Sequence, residues 1–521
     1  MKRYIASLVS LLIVATSCSD FLDTVPDNRT EVNSADKVAA LLVSAYPTSA
    51  PLLIGEMSSD NVMDNGGQYD ALLLQEQLYL WEDPTEVGTD GVYGVWEACY
   101  SAAASANKAL ESIVELGSPS TLDPQKGEAL LCRAYAHFLL ATTFCMPYNP
   151  ETATQHLGIP YVKESGTTIQ SPTERGTLQE VYEQIAADIE EGLPLIKDNV
   201  YSVPRYHFNK KAANAFAARF YLYYQQWDKV IEYATVAVGN VPSNTLRHWE
   251  EDFGGLSQVS DVATQYTSEK VSANLLIQSL YSSIGYVLGP YDIYKRYGHG
   301  QPIYQNETIA SSGPWTERGG LVISNLVLSN QQKNPFPKFV TYFEYIDKTS
   351  GIGYNHAVSV AFSVDEALLA RAEAYVLCDE HDYTSALRDI NDWIVYHSTR
   401  SSDTGSDLTL SDVNTFYNQL AYQPVTLNDD SERSVKKTLN PEGFTVNEGT
   451  EENLIQLILQ LRRLETLQEG LRWQDLKRYG IEFSHNRAGE LADVLTKDDP
   501  RRAIQLPPDV INAGMEPNPR N

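Results

Sequence analysis

Apolar residues recur every three to four positions from about Ser34 to Val238, and again from Ser363 to Trp393 and from Glu451 to Tyr479. That period belongs to helices with one buried stripe. Leu178, Val181, Ile185, Ile189 and Leu193 give one such face. The starts are written in the sequence as well: Asp123 before Pro124 places a carboxylate at an N-cap and a proline where no donor is needed, and this predicts a helix running to Cys145, short of Pro147. Thr177 with Glu180, and Ser363 with Glu366, have the spacing at which hydroxyl and carboxylate satisfy each other's end donors.

A weak internal repeat says what these helices pack on. Arg133-Ala-Tyr135, Arg219-Phe-Tyr221 and Arg371-Ala-Glu-Ala-Tyr375 sit in similar small-and-aromatic stretches, 86 and 152 residues apart. Small residues let two helices approach, and the aromatic at the turn fills the gap between successive hairpins, which is the logic of tetratricopeptide units. Regular arrays repeat at about 34 residues, so these repeats are degenerate and interrupted. The expected fold is mostly α: tetratricopeptide-like helical repeats form a scaffold over about 34–238, 363–394 and 451–479. Residues 241–362 hold 11 Gly and 10 Tyr without sustained helical periodicity, and they predict a large irregular, loop-rich lobe that carries ligand. Ser398 to Thr450 reads as an exposed polar excursion, and 480–521 as a C-terminal segment; with the rest of 18–521 they are expected to form a single domain.

The N-terminus adds an address. Lys2 and Arg3, the apolar run Tyr4 to Val14 and the small residues Ala15-Thr16-Ser17 form a signal segment over 1–17 that is too short to span a membrane. Cys18 follows directly, as in bacterial lipoproteins whose cysteine is acylated; an ordinary secretory signal is the alternative. Cys99, Cys132, Cys145 and Cys378 lack metal-ligand spacing and are expected as buried thiols. The 521 residues carry 39 Lys plus Arg against 68 Asp plus Glu, a net charge of −29, which disfavours nucleic acid as a partner. Tyrosine, at 32 residues, and 7 Trp exceed the needs of an ordinary core.

Catalytic and cofactor motifs are missing: neither H-E-x-x-H nor G-x-S-x-G occurs, and no glycine-rich phosphate loop with its lysine. Asp60-Asn-Val-Met-Asp-Asn-Gly66 has the wrong ligand spacing for an EF-hand. No cofactor, metal or enzymatic activity is expected. Opposite charges three and four apart between Arg462 and Arg478 predict a structural lock.

Several stretches together resemble the SusD/RagB lipoproteins of Bacteroidetes. They are Cys18-Ser-Asp-Phe-Leu-Asp23-Thr-Val-Pro26; Trp96 to Ile113 with Asn107 and Leu110-Glu111; Arg133-Ala-Tyr-Ala-His-Phe to Pro147-Tyr148; Arg462-Arg-x-Glu465-x-x-x-Glu469-Gly-x-Arg472-Trp-x-Asp475-Leu; and the terminal Leu506-Pro-Pro and Asn518-Pro-Arg-Asn521. The resemblance implies a lipid-anchored protein on the outer-membrane surface, sent there by acidic residues such as Asp20 and Asp23. Such a protein captures oligosaccharides, or in some members oligopeptides, for a SusC-like TonB-dependent transporter. A secreted hydrolase is the alternative from another class, and a purely structural adaptor a third. Sugar rings stack on aromatic faces and bond polar groups at the rim, so Trp81, Trp96, Tyr291, Tyr294, Tyr297 and Trp315 are the expected ring platform, with Asp60, Asn61 and Arg296 as rim.

Overall fold

An amphipathic helix must cover its apolar stripe, and this chain mostly does so with the next helix in sequence. The computed structural model describes residues 32–166, 174–290, 294–316, 319–327, 333–399, 407–487 and 492–520. The signal segment 1–17, Cys18, Asp20 and Asp23 lie outside them. The first helices are α1 (Ala35–Leu42), α2 (Leu52–Ser58), α3 (Leu73–Tyr79) and α4 (Val92–Glu115). α4 packs along α5 (Asp123–Phe144), α5 along α6 (Leu178–Gly192), and α7 (Lys210–Tyr223) along α8 (Trp227–Val238). Short helices α9 (Trp249–Phe253), α10 (Val259–Tyr266), α11 (Ile284–Val287) and α12 (Gln301–Asn306) punctuate the excursion that follows. α13 (Val364–Leu377) then returns to lie on α8 and pairs with α14 (Tyr383–His397). α15 (Leu410–Gln419) packs on α16 (Thr450–Glu465), α16 on α13, and α17 (Arg472–Arg478) on α2. The mostly helical scaffold with an inserted lobe is thus as the periodicity implies. No helix among the described residues is long and apolar enough to cross a membrane.

Each repeat arginine forms a buried fork across a helix crossing. Arg133 on α5 holds both oxygens of Asp188 on α6, at 2.6 and 2.7 Å. Arg371 on α13 holds Asp389 on α14 at 2.7 and 2.9 Å. Arg219 on α7 reaches Glu366 on α13 instead, so it bridges two hairpins that are far apart in sequence. This explains a departure at Ser363. Its hydroxyl caps α13 by accepting the Glu366 N–H at 3.1 Å, but the Glu366 carboxylate turns to Arg219, and the reciprocal half of the expected box is not made. Thr177 and Glu180 make both halves. Asp123 is the first residue of α5 rather than its cap, because the 3₁₀ turn Ser120–Leu122 runs straight into the helix.

The inserted lobe is more ordered than its composition suggests. β2 (Asn274–Tyr281), β5 (Ile352–Ser363) and β4 (Tyr342–Asp347) form an antiparallel sheet in the order β2-β5-β4, and β5 runs directly into α13. Two small ladders pair β1 (Met63–Asp64) with β3 (Tyr297–Gly298), and β6 (Phe483–His485) with β7 (Asp493–Leu495). The polar stretch 398–450 also departs from expectation. It contains α15, whose Val413 and Tyr417 are buried, with the Tyr417 hydroxyl donating to Gln460 Oε1 at 2.6 Å. The cysteines other than Cys18 are free, buried thiols.

These forks give a direct stability test. Arg371→Ala leaves the Asp389 carboxylate buried without its partner and should cost about 3–5 kcal/mol, read as a lower midpoint in urea denaturation.

Candidate ligand surface

β1 and β3 bring the segment before the first long helix against the insert, with Met63 opposite Gly298 and Asp64 opposite Tyr297. Beneath them lies a buried charge network. Asp60 takes the Arg472 fork at 2.8 Å on each oxygen, and its backbone carbonyl accepts from Arg463 at 2.7 Å. Asn61 Oδ1 accepts from Arg463 Nε at 2.8 Å, while its amide donates to Glu56 at 3.0 Å. Glu307 gathers Arg433 at 2.6 Å, Lys437 at 2.7 Å and Arg463 at 2.9 Å. The nearby cations outweigh burial and hold Asp60 far below the usual carboxylate range, with Glu307 at about 2. Asp60 and Asn61, expected at the rim of a ligand site, are therefore core residues that tie the start of the chain to its C-terminal helices. The lock expected between Arg462 and Arg478 is real but has other partners: Arg462 and Arg478 surround Asp475 and Glu373 of α13, while Arg463 and Arg472 reach Asp60.

The expected ring platform divides in the same way. Tyr297, Tyr79, His485 and Trp81 make a run of contacting rings with centroid separations of 4.5, 4.0 and 4.4 Å. Trp81, Tyr297 and Trp315 are buried, so they present no open face to a sugar. Trp81 has φ of 53°, a left-handed position where glycine is usual at a helix end. The Glu82 N–H reaches back to the Gln77 carbonyl there, and the Trp81 indole donates to the Ser58 carbonyl at 2.9 Å. Trp96 is half-buried on α4 against Tyr100 and Phe144. Arg296 grips Asp64 through two bonds, at 3.0 and 2.9 Å. Tyr294 is 65% exposed. Tyr291 lies outside the described residues.

Exposed rings concentrate elsewhere, on the hairpin of β4 and β5. All six residues of β4 are exposed. Successive strand residues point to opposite faces, so Phe343 and Tyr345 share one face, their rings 4.8 Å apart, and Tyr342 and Glu344 share the other. On that second face Tyr354 and His356 of β5 meet Tyr281 of β2, at 5.3 and 4.5 Å, and His356 pairs with Glu344 at 2.7 Å. Gly353 is required opposite Tyr345: a Cβ there would lie 2.0 Å from the Glu344 carbonyl and 2.7 Å from the Phe343 ring. At the turn Asp347 accepts from the Thr349 N–H and the Ser350 hydroxyl, which lowers its pKa. The result is an array of tyrosine and phenylalanine faces with polar groups between them, open on both sides. Sequence reasoning passed over it. The strand-like run Tyr342 to Asp347 followed by Thr349-Ser350-Gly351 is a hairpin signal, but rings on both faces erase the alternation that a half-buried strand shows.

A second concavity, of about 510 Å³, opens beside Trp81 between Glu82, Asp83, Arg487, Arg501 and Arg520. Its arginines are already paired: Arg520 with Asp83 at 2.6 Å, Arg501 with Asp499 at 2.7 Å, and Arg487 with Glu76 at 2.6 Å. Such a cleft offers hydrogen bonds to hydroxyls and amides without a net charge.

Residues 20–222 match the SusD-like family model described as starch-binding associating with outer membrane. That match spans 203 of the 521 residues. Solved structures share the fold over nearly the whole chain. A SusD superfamily protein of Bacteroides thetaiotaomicron is 19% identical with a TM-score of 0.63, over 93% of this chain and 99% of its own. A SusD superfamily protein of Bacteroides vulgatus is 18% identical with a TM-score of 0.63, over 92% and 97%. A protein of Bacteroides vulgatus described as a SusD-like carbohydrate binding protein is 14% identical with a TM-score of 0.54, over 89% of each chain. Among curated proteins nothing matches.

The buried network predicts an acid response. Asp60 and Glu307 have folded-state pKa values below their ordinary 3.8 and 4.5, so their contribution is complete above those values and is lost as pH falls through the folded ones. Unfolding free energy should therefore decline below about pH 4.5. Glu307→Gln, which leaves three cations short of a charge, should cost about 3–5 kcal/mol at pH 7 and flatten that decline, as measured by urea unfolding at stepped pH.

Proposed function

We propose that this protein is a non-catalytic carbohydrate-binding lipoprotein of the outer-membrane surface, which captures oligosaccharides and passes them to a SusC-like TonB-dependent transporter. The observation that carries the reading is the exposed aromatic array of β4 and β5 in a chain whose N-terminal part matches a family described as starch-binding. Flat rings with interspersed Glu344, His356 and Asn355 suit sugar C–H faces and hydroxyls. Tyr294 belongs to the same inserted lobe, and the cleft beside Trp81 offers further polar partners. The carbohydrate-binding description of the Bacteroides vulgatus neighbour points the same way. The lipid anchor is assigned to Cys18, at the end of the signal segment 1–17.

Calorimetric titration against panels of oligosaccharides and oligopeptides tests the ligand class. Each stacked ring contributes on the order of 1 kcal/mol beyond area burial, so a Tyr345→Ala, Tyr354→Ala double variant should lose roughly tenfold or more in affinity for the glycan that binds. Both rings are exposed, so the variant should keep its melting temperature. A folded variant that binds as the wild type does removes the hairpin from the site. Binding to peptides alone favours the oligopeptide alternative, and product release from either panel makes the protein a hydrolase. In cells, Cys18→Ala should release the protein from the membrane fraction; retention in a strain without the transporter would contradict the anchor.

A further inference from the structure

Three helix ends, only one of them within the Arg462 to Asp475 motif, meet at one point. Asp365 in the first turn of α13, His397 at the end of α14 and Glu465 at the end of α16 are all buried, and one donor atom from each lies within 4.8 Å of the others. We propose that these three side chains bind a divalent cation of the zinc class, one per chain.

The imidazole decides the argument. His397 Nδ1 lies 2.8 Å from the Trp393 carbonyl, which can only accept, so this nitrogen carries the hydrogen. In the neutral ring Nε2 then holds a lone pair, and it faces Glu465 Oε2 at 2.9 Å and Asp365 Oδ1 at 3.6 Å. Three electron-rich atoms facing one another in a buried space need a positive charge between them. One imidazole nitrogen with carboxylate oxygens is a donor set that suits zinc.

The surroundings fit a held ion. Trp393 orients two of the three ligands: its carbonyl fixes the His397 tautomer, and its indole N–H donates to Glu465 Oε2 at 3.1 Å. The two rings stack at 3.7 Å, which fixes the imidazole plane. Such orienting bonds are the usual support of metal-ligating histidines. Asp365 Oδ1 accepts from the Arg247 backbone N–H at 3.1 Å, while its buried Oδ2 has no hydrogen-bond partner and is available for a further bond to the ion. Two other charged groups, Arg247 and Lys338, face the cluster, and the Arg247 Nε is buried without a hydrogen-bond partner. The Arg247 guanidinium donates to the Tyr266 carbonyl and Asn274, and Lys338 donates to the Glu465 carbonyl and to Glu469. The ion would tie α13, α14 and α16 together at the base of the inserted lobe, independently of what the lobe binds.

The test uses untagged protein, because a histidine tag binds zinc. After dialysis against EDTA and then metal-free buffer, titration with zinc chloride should show one site per chain and raise the melting temperature with zinc concentration. Asp365→Asn and His397→Ala should each weaken that site by more than about 100-fold. Trp393→Phe, which keeps the ring and removes the N–H, should weaken it by about 10–100-fold, the range for an orienting residue. The proposal is overturned if the wild type takes up no stoichiometric zinc, which leaves a protonated His397 as the charge between the carboxylates. Equal zinc uptake by wild type and His397→Ala would overturn it as well, since the ion would then sit on other histidines. Should a variant fail to fold, the wild-type titration still decides.

Discussion

Glu307 is the constraint on which the lobes depend. One buried carboxylate receives Arg433, Lys437 and Arg463, and these come from the polar excursion and the C-terminal helices while Glu307 itself belongs to the insert. Arg463 continues the chain of charge to Asp60, and Arg472 completes it. Four segments separated by up to about 400 residues are thus held by atoms within hydrogen-bond distance. Desolvating so many charges is expensive, and the arrangement is stable only when every member keeps its partners. An apolar contact between the same segments could slide; paired forks on a carboxylate cannot. The position of the inserted lobe is set by this register, which is what a binding surface built from several segments requires.

The opposite rule governs the β4 and β5 hairpin. Its root is fixed, since β5 pairs with β2 from His356 to Ser363 and enters α13 through the Ser363 cap, while its outer half has rings on both faces and no core to cover either. Exposed aromatic area of this extent is unfavourable in water unless something binds it. The strand geometry holds the rings in fixed rows, so little conformational freedom is lost when a flat ligand settles on them. A rigid root with an uncovered tip is a sensible place for capture.

Legibility in the sequence followed the range of the interaction. Helix extents, the capping box at Thr177 and the helical scaffold rest on local spacing, and these were readable. The repeat arginines were visible as a motif, but their acids were not: Asp188 lies 55 residues from Arg133, and Glu366 lies 147 from Arg219. Asp60 and Asn61 misled for the same reason, because a polar run with turn residues looks exposed until partners more than 400 residues away are known. Tyr297 and Trp315 lie in a glycine-rich stretch without sustained helical periodicity, yet irregular backbone also builds cores, and both rings are buried. The rings of Tyr342 to Tyr354 went unnoticed because they break the two-residue alternation.

The distribution of charge carries the argument one step further. Among the described residues 15 Lys and Arg side chains are buried against 12 Asp and Glu, although the whole chain has only 39 of the former and 68 of the latter. Guanidinium forks suit buried pairing because they match a carboxylate in two bonds. Their use inside leaves a surface more acidic than the net charge of −29 suggests. Long-range steering at such a surface opposes phosphorylated and other polyanionic ligands. Uncharged ligands meet no such barrier, and their affinity must come from short-range contacts. Stacked rings and charge-balanced hydrogen-bonding clefts supply those contacts, and the exposed hairpin and the cleft beside Trp81 are surfaces of these two kinds.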